Sequence, residues 1–313
     1  MMMMLPEQND QLILAAATGY TVQQILPFVK SLSKTGFYGE LVLIIYHKQL
    51  SSYQAVLNTI NGVKISYQFT HMGKLHNRNT FVGYWKHKLV RRSLRLFLKL
   101  LAATGQTGLK KAALNISSYP HVGRFFEYQK AIQLRPQAQK ILLSDIRDVL
   151  FQAAPLESEI HGVYVGMENP EICLIDEDYN RAWIEDAYGD HILTQMQAAQ
   201  ISCSGVTYGD RKSMLAYIEV MINEFLNMPY EIMSNRIYDQ AMHNKLLFEN
   251  RVADVNYCQP FQSNIVTLGL YAEQDIPVQD EKVLNHDGSV IPIVHQYDRH
   301  ENLQQQLMEC YSR

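Results

Sequence analysis

The chain has 313 residues, 47% of them apolar, and a formal net charge of −3, enough for one large α/β domain or two modest ones around a well-buried core. No run approaches the roughly 18 apolar residues of a membrane span, and Met1 to Asp10 lacks the basic-then-apolar order of a secretory signal, so the expected location is the cytoplasm. Cys173, Cys203, Cys258 and Cys310 are far apart with no CxxC pair, which argues against a zinc site or disulfide framework and makes each a small core hydrophobe in a reducing compartment.

Gln11 to Ala17 reads as an apolar strand running into the loop Thr18-Gly19-Tyr20. A helix follows through Ile25, Val29 and Leu32, stopping near Gly36, and then a second strand from Leu41 to Tyr46. Strand, short glycine-containing loop, helix, strand is the opening of a nucleotide-binding α/β sheet, with the loop at its carboxyl edge. Ala16-Ala17-Thr18-Gly19 is too poor in glycine for GxGxxG or a P-loop, which disfavours a Rossmann dehydrogenase or a P-loop NTPase. A third strand is expected from Val63 to Phe69.

Charge is unevenly spread along the chain. Leu41 to Phe126 holds 13 Lys and Arg and no Asp or Glu, whereas Glu127 to Arg313 holds 28 acids against 13 Lys and Arg. The basic part would attract phosphates, nucleic acid or an anionic membrane. Within it, Trp85 to Ala103 reads as an amphipathic helix. Lys88, Arg91, Arg92, Arg95 and Lys99 line one face, and Leu89, Val90, Leu94, Phe97, Leu98 and Leu101 fill the other. The plain expectation is a core-packed helix with a solvated basic face. The functional alternative is docking to anionic lipid at the inner membrane face or to a phosphorylated substrate. Nucleic acid is not expected, because no aromatic-rich stacking platform accompanies the charge. Gly105 to Ala113 is expected as a loop and Glu127 to Leu134 as a helix halted at Pro136.

Next comes Ile141-Leu142-Leu143-Ser144-Asp145-Ile146-Arg147-Asp148, an apolar run ending in two carboxylates. As a buried parallel strand it would carry Asp145 and Asp148 to the carboxyl end of the sheet, where open α/β sheets bind ligands. Two acids there suit a hard divalent cation that also takes phosphate oxygens; the alternative is a loop Asp pair with Arg147 in a surface ion pair. Beyond it, strands are expected at Val163–Met167 and Ile201–Tyr208, and helices at Asp176–Asp190, Lys212–Leu226 and Asp239–Phe248. No repeat or linker divides residues 1–313, so a single domain is expected, with a nucleotide-binding half at 1–140 and a metal and acceptor half at 141–313.

Three further clusters bear on chemistry. Ser204-Gly205 would let a ligand approach the backbone, although tight packing explains the glycine equally well. Asp239-Gln240 opens a helix, where Asp239 is either an N-cap or a carboxylate pointing into a cleft. Near the end, Val290 to Val294 delivers His295, whose neutral imidazole would make a good third ligand for Mn²⁺; His286 and His300 read as surface residues of a turn-rich tail.

Leu143-Ser144-Asp145-Ile146-Arg147-Asp148-Val149-Leu150-Phe151-Gln152, Asn180-Arg181-Ala182-Trp183, Ser204-Gly205-Val206, Asp239-Gln240 with His243-Asn244, and Asp287-Gly288 followed by Val294-His295-Gln296-Tyr297-Asp298-Arg299 together resemble a family of GT-A-type glycosyltransferase-like proteins of bacteria and plants. The resemblance runs from about Gln11 to Leu303. It implies a GT-A-like, Rossmann-related α/β fold with a mixed, mainly parallel central sheet flanked by helices. It also implies a hexosyltransferase that draws on a nucleotide diphosphate sugar, assisted by Mn²⁺ or Mg²⁺, toward a glycan, lipid or protein acceptor. On this resemblance Asp145, Asp148 and His295 hold the metal. Ala16, Thr18 and Tyr20 hold base and ribose, and Ser204 and Gly205 line the sugar pocket. Asp239 and Gln240 stand near the anomeric carbon, with Asp239 the candidate base if the reaction inverts. The chain departs from the family's usual DxD, since Arg147 stands two after Asp145 and the second acid is Asp148. Either Asp148 binds through water, or Arg147 clamps a phosphate directly. A catalytically silent nucleotide-sugar-binding module is the alternative function. A sugar-nucleotide pyrophosphorylase is disfavoured because Ala15 to Tyr20 lacks its glycine-rich signature.

Overall fold

A computed structural model describes residues 10–73, 89, 92–101, 105–156, 159–235 and 238–312. The first half runs β1 (Gln11–Ala16), α1 (Val22–Ser33), β2 (Glu40–Ile45), α2 (Leu50–Leu57), β3 (Lys64–Phe69), a helical stretch at 92–101 (α3), α4 (Thr107–Ser117), α5 (Pro120–Gln133) and β4 (Lys140–Ser144). Then follow β5 (Val149–Phe151), β6 (Val163–Met167), α6 (Asp178–Tyr188), α7 (Asp190–Met196), β7 (Ser202–Asp210), α8 (Arg211–Asn227), α9 (Tyr230–Asn235) and α10 (Asp239–Phe248). The chain finishes with β8 (Val255–Cys258), β9 (Ile265–Thr267), β10 (Val278–Gln279), β11 (Lys282–Val283), β12 (Ile293–His295) and α11 (Glu301–Ser312).

Seven strands form one mixed, mostly parallel sheet in the order β3-β2-β1-β4-β7-β6-β8, consistent with a Rossmann-like arrangement. Strands β3, β2, β1 and β4 are mutually parallel, and β7 runs against both β4 and β6. The central strands are apolar on both faces because helices cover both. Leu12, Leu14, Ile141 and Leu143 join Phe125, Tyr217 and Phe225 of α5 and α8 on one side. Ile13, Ala15, Leu41 and Leu43 meet Ile25, Phe28 and Tyr53 of α1 and α2 on the other. A small second sheet, β5-β12-β9, sits beyond the carboxyl end of β4 and brings the late segment back to the middle of the chain.

Several sequence expectations change here. Gly105 to Ala113 is largely helical, within α4, because Leu114 and Ser117 give it a short buried face that its glycines obscure. Helix α5 begins seven residues before Glu127, started by Pro120 in its first turn. Of the basic helix expected at 85–103, residues 85–88, 90, 91 and 102–103, with Lys88, Val90 and Arg91, lie outside the described residues. In the part described, Leu98 and Leu101 are buried as expected, but Leu89 and Phe97 are exposed, as are Leu96 and Leu100. Asp239 is not an N-cap: Tyr238 occupies that position and Asp239 is the first helical residue. His286 is exposed, but His300 is buried, with Nε2 2.9 Å from the Leu268 carbonyl. Cys203 and Cys258 are buried, while Cys173 is only half-buried. Among the described residues no helix is long and apolar enough to cross a membrane.

Candidate metal centre

Three chain features converge at the carboxyl end of β4. Ile146, buried in the core, anchors a bend that turns Asp145 and Asp148 toward the same space, so DxxD spacing works where an extended strand would have split the pair. Strand β12 carries His295 to the same point, and the Gln296 N–H donates to the Asp148 carbonyl at 2.7 Å, tying the strand end to the acidic bend. Gln296 achieves this in the left-handed region at φ +57°. Strand β7 passes beneath. Its pairing with β6 jumps from Val165↔Thr207 to Gly166↔Cys203, so Ser204, Gly205 and Val206 bulge out of that ladder, and the Gly205 carbonyl accepts from the Asp145 N–H at 2.6 Å.

His295 Nε2 lies 3.7 Å from Asp145 Oδ2 and 3.7 Å from Asp148 Oδ1. Those distances are too long for hydrogen bonds, and Nε2 is buried without a partner. The other ring nitrogen, Nδ1, is 3.4 Å from Thr267 Oγ1 and 3.6 Å from Cys203 Sγ, contacts that can hold the proton there and leave the Nε2 lone pair facing the carboxylates. A Cβ built on Gly205 would fall 2.4 Å from His295 Cε1 and 2.8 Å from Asp145 Oδ2, so only glycine leaves this space open. An orphaned buried nitrogen, two converging carboxylates and a cradle that a methyl would fill fit a cation: Asp145, Asp148 and His295 could hold a metal ion.

Electrostatics give the two acids different roles. Burial opposes ionisation of Asp145, but the Arg124 guanidinium outweighs it and holds its carboxyl below the usual range. For Asp148 burial prevails, and with the Asp145 charge it pushes the carboxyl up. Arg124, on α5 and almost fully buried, bridges Asp145 Oδ1 and Asp239, the latter at 2.6 Å. Three carboxylates and one guanidinium leave two formal negative charges, the complement of a divalent cation.

The remaining candidates surround one cleft. Tyr20, Arg147, Ser204, Gly205, Asp239 and Gln240 line a space of about 330 Å³ beside Asp145 and Asp148. Ala16, Thr18 and Tyr20 line an adjoining lobe of about 190 Å³ that shares Tyr119, His121, Arg124 and Asp145 with it. The first loop is pinned from below: Gln49 Nε2 donates to the carbonyls of Ala17 and Tyr20 at 3.0 and 2.9 Å, and Gly19 takes φ +85°. Arg147 sits half-exposed on the rim, 3.2 Å from Asp298. Asp239 is all but sealed, with Oδ2 held by Arg124 and Oδ1 buried without a partner. The Gln240 side chain is spanned between Asn180, Glu168 and Cys203. His243 and Asn244 are structural: His243 bonds Ser202 and Tyr217, and Asn244 pairs with both backbone groups of Ser202.

Sequence reasoning missed Arg124, His121 and Tyr119. Tyr119 opens α5 and Arg124 follows His121 at helical i, i+3 spacing. The signal available was an Arg among apolar residues on a helix, which one sequence cannot separate from a solvated charge. Comparison with models of known protein families gives no match, and neither does comparison with curated proteins. Fold and site together define an α/β protein with a candidate metal centre at the carboxyl edge of its sheet.

Proposed function

We propose that this protein is a metal-assisted glycosyltransferase of GT-A type, moving a hexose from a nucleotide diphosphate sugar to an acceptor. The observation that carries the reading is the convergence of Asp145, Asp148 and the orphaned His295 Nε2 over Gly205, at the strand ends where α/β sheets bind nucleotides. Mn²⁺ or Mg²⁺ held there would neutralise charge developing on a leaving diphosphate. The chain's own groups supply the rest. Thr18 and Tyr20 border the lobe sized for the nucleoside, and Arg147 and Arg299 on the rim face the space a diphosphate would cross. Ser204 and Gly205 bound the space beside the acids, where the sugar would lie. Two carboxylates and an imidazole favour Mn²⁺ over Mg²⁺.

One observation favours the silent binding module. Asp239, the candidate base, is 1% exposed and already paired with Arg124, so an acceptor hydroxyl would not reach it in this arrangement. Titration of Mn²⁺ and then a panel of nucleotide diphosphate hexoses, alongside a donor-hydrolysis assay, separates the two. Turnover that Asp145→Ala and Asp148→Asn both abolish supports the transferase, and metal-dependent binding without turnover supports the module. Wild-type activity in Asp145→Ala would sink the metal assignment.

A further inference from the structure

We propose that α3 and α4 form a peripheral docking surface for an anionic lipid bilayer. This inference stands on observations away from the cleft and does not depend on the reaction performed there. Helix α3 buries Leu98 and Leu101 against the body of the protein, yet Leu96 and Leu100, one turn apart and therefore on one face, are 61% and 65% exposed, with exposed Phe97 beside them. Helix α4 repeats the pattern. Leu114 is buried, and Leu109 and Ile116, seven apart, are 54% and 36% exposed on the opposite side. Two successive helices thus each carry a second apolar stripe in addition to the one that packs inward. A solvated helix gains nothing from such a stripe.

The charges beside those stripes identify the occupant. Arg92 and Lys99 are exposed and flank the α3 stripe, Lys110 on α4 turns inward to donate to the Leu226 carbonyl, and the whole segment from Leu41 to Phe126 contains no acid. Glu231 of α9 approaches α3 and pairs with Arg95 at 2.6 Å. Leucine and phenylalanine on one helix face with Lys and Arg alongside is the pattern of helices that lie in the headgroup region. A second copy of the chain would bring Arg92 and Lys99 against their own counterparts, whereas an anionic surface complements them.

Co-sedimentation of the full chain with vesicles of phosphatidylcholine alone and of phosphatidylcholine with phosphatidylserine tests this. The wild type should partition to the anionic vesicles and release as salt rises. Arg92→Glu with Lys99→Glu should cut partitioning roughly 25-fold or more, since each cation near such a surface contributes about fivefold. Leu96→Ser with Leu109→Ser should cut it by about tenfold or more. All four sites are solvent-facing, so an unchanged thermal midpoint confirms that the fold survives. No binding to anionic vesicles, or equal binding by wild type and both double variants, overturns the proposal. So does sedimentation velocity showing a dimer that the Leu→Ser pair dissolves, which would assign the stripes to a second copy.

Discussion

Replacing Gly205 with alanine should remove metal binding while leaving the fold standing. The added methyl would sit 2.4 Å from His295 Cε1 and 2.8 Å from both His295 Nε2 and Asp145 Oδ2, where ordinary contact begins near 3.4 Å, so the ring would have to retreat by about 1 Å. Neither side can yield easily. Strand β12 is paired on both edges, to β5 and β9, and the Gly205 carbonyl is held by the Asp145 N–H. Overpacking of this kind costs about 1–3 kcal/mol, a loss of several degrees in the thermal midpoint for a chain of this size. Metal ligation tolerates only about 0.2 Å of displacement, so the larger effect falls on binding. In the wild type, Mn²⁺ at a hundred times its dissociation constant should add about 2.7 kcal/mol of stability, reversed by EDTA. The assay is thermal unfolding with and without Mn²⁺, supported by calorimetry. A Gly205→Ala protein that keeps the wild-type Mn²⁺ shift would refute the placement of the ion.

Two further outcomes follow from the electrostatics. Burial, reinforced by Glu177, raises the Glu168 carboxyl from 4.5 to about 7. Its folded-state value exceeds the unfolded one, so its contribution is fully present below about pH 4.5 and is lost as pH rises to 7, a change of up to about 3 kcal/mol. Glu168→Gln should therefore gain stability over the wild type at pH 8 and little at pH 4.5, as read by denaturant unfolding at both; an equal difference at the two values would contradict it. Arg124→Met strands Asp239 as a buried, unpaired charge and should cost about 3–5 kcal/mol. Adding Asp239→Asn should recover much of that loss in the same measurement, and no recovery would mean that Arg124 acts through packing.

The sequence by itself determined the sheet and one end of the site. Apolar runs at Gln11–Ala17, Leu41–Tyr46 and Ile141–Leu143 read as strands covered on both faces, and an acid straight after such a run would emerge at the strand's carboxyl edge. That logic singled out Asp145 from local pattern alone, and the same logic applied to β12 singled out His295. Elements whose signal is tertiary escaped it. Helix α10 is buried on nearly every side, so the partners of its His243, Asn244 and Lys245 come from distant segments that the local pattern does not show. α4 has too narrow a buried face to show a clear period. The outward leucines of α3 could not be told from inward ones, because periodicity shows that a face is apolar and not which way it points. Only the folded chain decided that Asp148 turns toward Asp145 rather than away, that Arg124 on α5 reaches Asp239, 115 residues on, while also holding Asp145, and that the Gly205 backbone packs directly against His295 and Asp145. Each depends on distances between segments that no local pattern encodes.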